Sequence, residues 1–195
     1  NLLESSLSTD HYPRYRLRLF LSVDLAGSTA FNAGDGKKRM KGEACQPLWV
    51  DVTRGYYSLF PKLLEQQYDH YRKSEYKDKY PKIWKTVGDE IIFCCRLIDR
   101  NHLSVCMTAF LQALDEYRNS LKATAVTTST KPLNVKGAAW LSAFPHRNIT
   151  VTADTTVAPN DQPDEAFEVS ADLTPRSVDF LGNGIDCGFR VASKS

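Results

Sequence analysis

The run RLRLFLSVDL, residues 16–25, leaves little freedom about where it sits in a fold. From Leu17 to Asp24, Leu17, Leu19, Leu21 and Val23 alternate with Arg18, Phe20 and Ser22, the two-residue period of a β-strand. Phe20 adds bulk to the second side, so the strand asks for cover on both faces and belongs in the middle of a layered sheet. Yet it ends on a carboxylate, Asp24, and Ala26-Gly27-Ser28-Thr29 after it can open a helix. Alone, Asp24 reads equally as a cap for the amides of the turn or as a metal ligand beside a helix start whose free amides face an anion. A second carboxylate decides between them.

With 195 residues, 42% of them hydrophobic, the chain is expected to bury one core and form a single domain. Residues 1–14 read as an N-terminal extension and 145–178, polar and rich in Thr, Asp and Pro, as an irregular insert. The 25 basic and 23 acidic residues nearly cancel, so no broad basic face for nucleic acid is expected. The five cysteines are odd in number and lack a C-x-x-C pair, which suits a reduced, cytoplasmic chain. No run approaches the about 18 apolar residues of a membrane helix, and no signal-peptide core opens the chain. The start at Asn1 rather than Met reads as an incomplete translation product.

Along the chain, NAGDGKKRMKGEACQ (32–46) reads as a loop. From 47 to 73, Leu48, Val52, Tyr56, Leu59, Leu63 and Leu64 recur at helical spacing, with Pro61 a kink. KIWKTV and EIIFCCRL flank Gly88-Asp89 as a hairpin, which supplies the second carboxylate. Residues 101–122 read as a helix capped by Asn101, 132–144 as a strand weakened or bulged at Gly137, and 179–193 as a short strand, a Gly-Asn-Gly turn and a helix. The order β-α-β-β-α-β predicts an α+β fold with a ferredoxin-like split βαβ core, an antiparallel sheet with helices packed on it.

SVDLAGST (22–29), WKTVGDEIIF (84–93) and DFLGNGIDCGFR (179–190) together resemble the class III nucleotidyl cyclases, the adenylate and guanylate cyclase family, whose pattern runs F-x-D-I-x-G-[FS]-T, K-[TV]-[IV]-G-D and D-[YI]-x-G-x-x-V-N-x-A-x-R in the same order. The resemblance implies that Asp24 and Asp89, with the backbone of Leu25, hold two divalent ions, Mn²⁺ or Mg²⁺, and that Gly27, Ser28 and Thr29 meet the triphosphate. Arg190 matches the transition-state arginine. Asp186 stands where the family has a ribose-binding Asn, and either binds the ribose hydroxyl, orients Arg190 or marks a changed substrate. Lys85 and Asp179 match the base-reading pair of the adenylate enzymes, Phe180 lies beside them, and Arg176 is a further phosphate contact whose spacing departs from the pattern. Glu90 reads as a residue on the opposite strand face from Asp89. The family's phosphate-binding lysine, on a later strand, has no counterpart before Ser195.

The resemblance further implies a homodimer with sites at the interface, one chain giving the metal aspartates and the other the base pair and Arg190; Tyr56 and Tyr57 read as packing and dimer surface. On substrate, Lys85 and Asp179 taken literally favour ATP. The bulk of Phe20, Trp84 and Phe180 favours a smaller base. The D-L-A-G-S-T start, Asp186 in G-x-x-x-D-x-G-F-R and the polar insert resemble the bacterial pyrimidine cyclases of Pycsar antiphage defence, which implies cyclic UMP, slightly ahead of cyclic CMP, made as a signal for a separate effector. Two other classes compete. One is an inactive cyclase-like dimeric regulator; the other is a polymerase-palm or diguanylate-type enzyme, against which VGDEII has only one glycine before Asp89.

Overall fold

Arg16–Ala26 forms β1, flanked on both sides by hydrogen-bonded neighbours, in a computed structural model that describes residues 13–39, 48–123, 133–152 and 164–193. The expected extension and the end of the expected 32–46 loop fall largely outside these residues. The start of that loop is helical instead: α1 runs Ser28–Arg39. Then follow α2 (Leu48–Tyr71), β2 (Lys82–Val87), β3 (Glu90–Arg96), α3 (Arg100–Ala123), β4 (Asn134–Phe144), β5 (Asn148–Thr152), α4 (Glu165–Leu173), β6 (Val178–Gly182) and α5 (Asn183–Ala192).

The main sheet has the order β2-β3-β1-β4, every neighbouring pair antiparallel. This is the split βαβ arrangement: β1 and β2 run parallel with β3 threaded between them. Hydrophobic residues of β1 serve two cores, as its two-faced pattern requires. Leu19, Leu21, Val23 and Leu25 face α2 and α3 in one, with Tyr56, Phe60, Phe110 and Tyr117. Phe20 sits in the other, with Trp84, Phe144, Phe180 and Ile185. In α2 Phe60 points inward, whereas its neighbour Leu59, expected on the buried stripe, is exposed; Pro61 lies inside the helix without ending it.

Three further expectations are corrected. Residues 145–178 are not irregular throughout, because β5 pairs with β6 and α4 docks on the sheet. What seats α4 is charge, which hydropathy does not register: fully buried Arg18 donates to Glu168 (2.6 Å) and Asp172 (2.8 Å), and Arg16 reaches Asp172 (3.2 Å) and Glu165. Gly137 neither bulges nor breaks β4, whose register with β1 is unbroken; a Cβ there would lie 2.7 Å from Leu114 and 2.9 Å from Phe110, so the glycine lets α3 lie close. The α3 cap is Asp99, whose carboxylate accepts from the His102 amide at 2.8 Å, one residue before the helix begins.

Candidate active site

Asp24 leaves β1 on the face opposite the α2/α3 core, the face of Arg18, Phe20 and Ser22. Asp89 occupies the two-residue turn between β2 and β3, made possible by Gly88 at φ +61°. The β1–β3 register sets Asp24 opposite Glu90, and the Leu25 amide approaches the Asp89 carbonyl at 3.4 Å. Two carboxylates from different strand ends thus share a small volume. Burial first, then the charge of Asp89, raises the pKa of Asp24, and Lys136 on β4, 3.7 Å away, pulls it back only in part.

That shortfall of positive charge suits a divalent cation. Among the described residues no group of three or more His, Cys, Asp or Glu is gathered for a metal; the two carboxylates and a backbone carbonyl such as that of Leu25 are the groups here that could hold one. Sparse protein ligation of this kind, completed by water and phosphate oxygens, is how Mg²⁺ is held at phosphoryl-transfer sites. At the start of α1, Gly27 adopts φ +92°, Ser28 donates to the Asp89 carboxylate, and the first-turn amides of Ser28 and Thr29 have no helical partner.

A cleft of about 450 Å³ opens beside Asp24, lined by Ser22, Glu90 and Lys136 on the sheet and by Phe189 and Arg190 from α5. The structure therefore brings Asp24 and Arg190 to one cavity, with Arg190 exposed at its edge. Glu90, expected to face away, lines this cleft and accepts from Ser22. It was hidden because a turn aspartate ahead of the strand does not follow the alternation of β3. Lys136 and Phe189 also went unrecognised; a lone lysine in a strand and an aromatic in an amphipathic helix carry no signal without the fold.

Lys85 and Asp179 form an ion pair at 2.8 Å, linking β2 to β6. The Lys85 ammonium rests over the Trp84 ring at 3.9 Å and near Phe189 at 5.6 Å, so its position is held by aromatic faces as well as by charge. Asp186 lies in the first turn of α5, exposed, and Arg176 is exposed in the short turn Pro175–Ser177 before β6. Phe180 does not line the cleft: β6 alternates, so Asp179 turns outward while the Phe180 ring enters the second core between Phe20, Trp84 and Phe144. Phe20 and Trp84 are equally buried there. None of these three bulky rings lines the cleft, and the size argument for a small base loses its footing.

Two tyrosines on α2 reach the same region from the opposite side. Tyr56 donates to the Val23 carbonyl at 2.7 Å and Tyr57 to that of Gly88. Burial, then the charge of Asp24, pushes the Tyr56 phenol far up; burial, then Asp89, raises Tyr57. Both remain donors at neutral pH.

No family model and no curated protein matches the sequence. Solved structures do match the fold. The adenylyl cyclase CyaB from P. aeruginosa superposes with a TM-score of 0.56 at 12% identity, covering 93% of this chain and 74% of that one. A bacterial light-regulated adenylyl cyclase gives 0.52 at 11% identity, covering 93% and 71%, and the guanylyl cyclase Cya2 gives 0.51 at 12%, covering 94% and 72%. At such identities the likeness is one of architecture, and the chain has the fold of nucleotidyl cyclase catalytic domains.

Proposed function

We propose that the chain is a class III nucleotidyl cyclase, which joins the ribose 3′-oxygen of a nucleoside triphosphate to its own α-phosphorus and releases pyrophosphate. The observation that carries this reading is the meeting of Asp24 and Asp89 at the end of β1 and the β2–β3 turn, beside the helix start at Gly27-Ser28-Thr29, in a chain of cyclase fold. Asp24 and Asp89, with the Leu25 carbonyl, would hold Mg²⁺ or Mn²⁺; such ions neutralise phosphate charge and make the 3′-hydroxyl a better nucleophile. The chain's own residues do the positioning on which phosphoryl transfer depends. Amides at the Gly27-Ser28-Thr29 turn bind phosphate oxygens at a helix start. Arg190 offers a permanently charged planar fork to the transferring phosphoryl group. Asp186 accepts from the ribose hydroxyl or orients Arg190, and Arg176 adds a phosphate contact.

Lys85 and Asp179 present one donor and one acceptor to a base edge. The substrate proposed is a pyrimidine nucleoside triphosphate, UTP ahead of CTP, and the product a second messenger read by a separate effector in antiphage defence; the support is the D-L-A-G-S-T start and Asp186 in place of Asn. ATP is the second reading, favoured by the intact Lys85–Asp179 pair. The acting unit is a homodimer with shared sites.

The test supplies ATP, GTP, CTP and UTP separately with Mn²⁺ and identifies products by chromatography and mass. Cyclic UMP or cyclic CMP is the expected result. Cyclic AMP keeps the enzyme class and replaces the substrate. No product from any of the four, together with no Mn²⁺ binding, overturns the reading in favour of an inactive dimeric regulator.

A further inference from the structure

The two aspartates share a support that the motifs do not contain. Tyr56 and Tyr57 are consecutive on α2, so their side chains diverge by about 100° around the helix. Tyr56, fully buried, points under β1; Tyr57, partly exposed, points to the β2–β3 turn; their rings meet edge to face with centroids 5.5 Å apart. Each hydroxyl donates to the carbonyl of the residue immediately before an aspartate, Val23 before Asp24 and Gly88 before Asp89. On the Asp89 side the tether adds to two holds on Asp89 itself, the Leu25 amide on its carbonyl and the Ser28 hydroxyl on its carboxylate. Gly88 is exposed at the tip of a two-residue turn, and the space where its Cβ would be is open to 4 Å, so side-chain packing does not brace the turn there.

We infer that Tyr56 and Tyr57 are positioning residues that fix, from a single helix, the spacing of Asp24 and Asp89, and thereby set the affinity of that pair for a divalent cation. The inference rests on the reading of the pair as a metal site given above. A carboxylate binds a small hard cation well only where its backbone holds it within a few tenths of an ångström of the required position, and outer groups that orient the ligands commonly govern affinity. One helix holding both backbones makes the two positions move together.

The experiment titrates Mn²⁺ into the 195-residue chain and counts the unbound ion by electron paramagnetic resonance, for the unsubstituted protein, Tyr56→Phe, Tyr57→Phe, Asp24→Ala and Tyr117→Phe. Tyr117 is the control: it packs on Tyr56 in the same core, with centroids 5.6 Å apart, and Phe there removes a hydroxyl without touching either carbonyl. Loss of one hydrogen bond predicts Mn²⁺ binding about three- to tenfold weaker in each clamp variant. Tyr57→Phe, at a partly exposed site, keeps its melting temperature, and Tyr117→Phe keeps its affinity. With the proposed substrate, Tyr57→Phe raises the Mn²⁺ concentration for half-maximal rate while the KM for nucleotide at saturating Mn²⁺ is unchanged. Wild-type Mn²⁺ affinity in both clamp variants, with Asp24→Ala abolishing binding, overturns the clamp and leaves the metal site standing. No Mn²⁺ binding by the unsubstituted chain overturns both. If Tyr56→Phe fails to fold, the Tyr57 variant decides alone.

Discussion

At Gly188 α5 comes down onto the sheet so closely that a Cβ would lie 2.2 Å from Trp140 Nε1 and 2.3 Å from Cε2. The indole cannot retreat freely, since it stacks on Phe20 with centroids 5.5 Å apart and touches Phe189 at 5.7 Å. Gly188→Ala must therefore push the helix, and Arg190, two residues on, moves with it. The expected cost is about 1–3 kcal/mol of stability, the range for overpacking, with a fall in turnover; Trp140→Leu in the same chain restores much of both, which a double-mutant cycle by urea denaturation reads directly. Asp24 and Arg190 make a second prediction at this scale. Asp24→Asn removes a like charge facing Asp89 and leaves folding intact, while Arg190→Ala deletes an exposed side chain, so neither lowers the melting temperature appreciably. Each is expected to reduce cyclisation at least about a hundredfold, the loss typical when one preorganised charge-stabilising group is removed. Substantial turnover in either variant, measured by product formation, removes that residue from the site.

Among the elements, α3 shows how a local charge fixes a helix end. The Asp99 carboxylate accepts from the His102 amide at 2.8 Å and from the Tyr76 hydroxyl at 2.9 Å, and the His102 amide first, then the Tyr76 hydroxyl, hold its pKa below the usual value. A group depressed on folding stabilises above its unfolded pKa and loses that contribution as pH falls through the folded one. Asp99→Ala is therefore expected to lower the melting temperature at neutral pH, and the gap to the unsubstituted chain to close as acid titrates Asp99. A constant gap across the acid range refutes the charged cap. The long elements were legible because period-two and helical spacings report burial directly: β1, the 82–96 hairpin, α2 and α3 lie where those spacings place them. What escaped was decided by contacts between distant segments. The α4 helix hides in a polar stretch because Arg16 and Arg18 on β1 supply its partners about 150 residues away in sequence. Gly137 reads as a weakness in the sequence, yet Phe110 and Leu114 pack against it, and Gly188, silent in the sequence, meets Trp140. At the site, Asp24 and Asp89 are legible as carboxylates closing apolar strand runs, and Lys85 and Asp179 through the family resemblance alone, whereas Phe180, next to Asp179 in sequence, falls on the opposite face of its strand.

At the scale of the whole molecule, the proposed dimer fixes how many chains make one site. Asp24 and Arg190 line the same cleft of a single chain, yet Arg190 is exposed at its edge, and the proposed dimer would set the arginine of one protomer against the aspartates of its partner. Symmetry turns this into arithmetic. If sites are shared, a heterodimer of Asp24→Ala with Arg190→Ala has one site carrying both defects and one carrying neither. Random mixing of equal amounts makes about half the dimers mixed, each with one intact site of two, so about a quarter of unsubstituted activity returns. If each chain completes its own cleft, every site in the mixture carries a defect and no activity returns. The assay is to unfold and refold, or co-express, the two inactive variants together and compare product formation with either alone. A return near a quarter assigns Arg190 to the partner's aspartates, and its absence, with mixed dimers verified by mass, assigns it to its own.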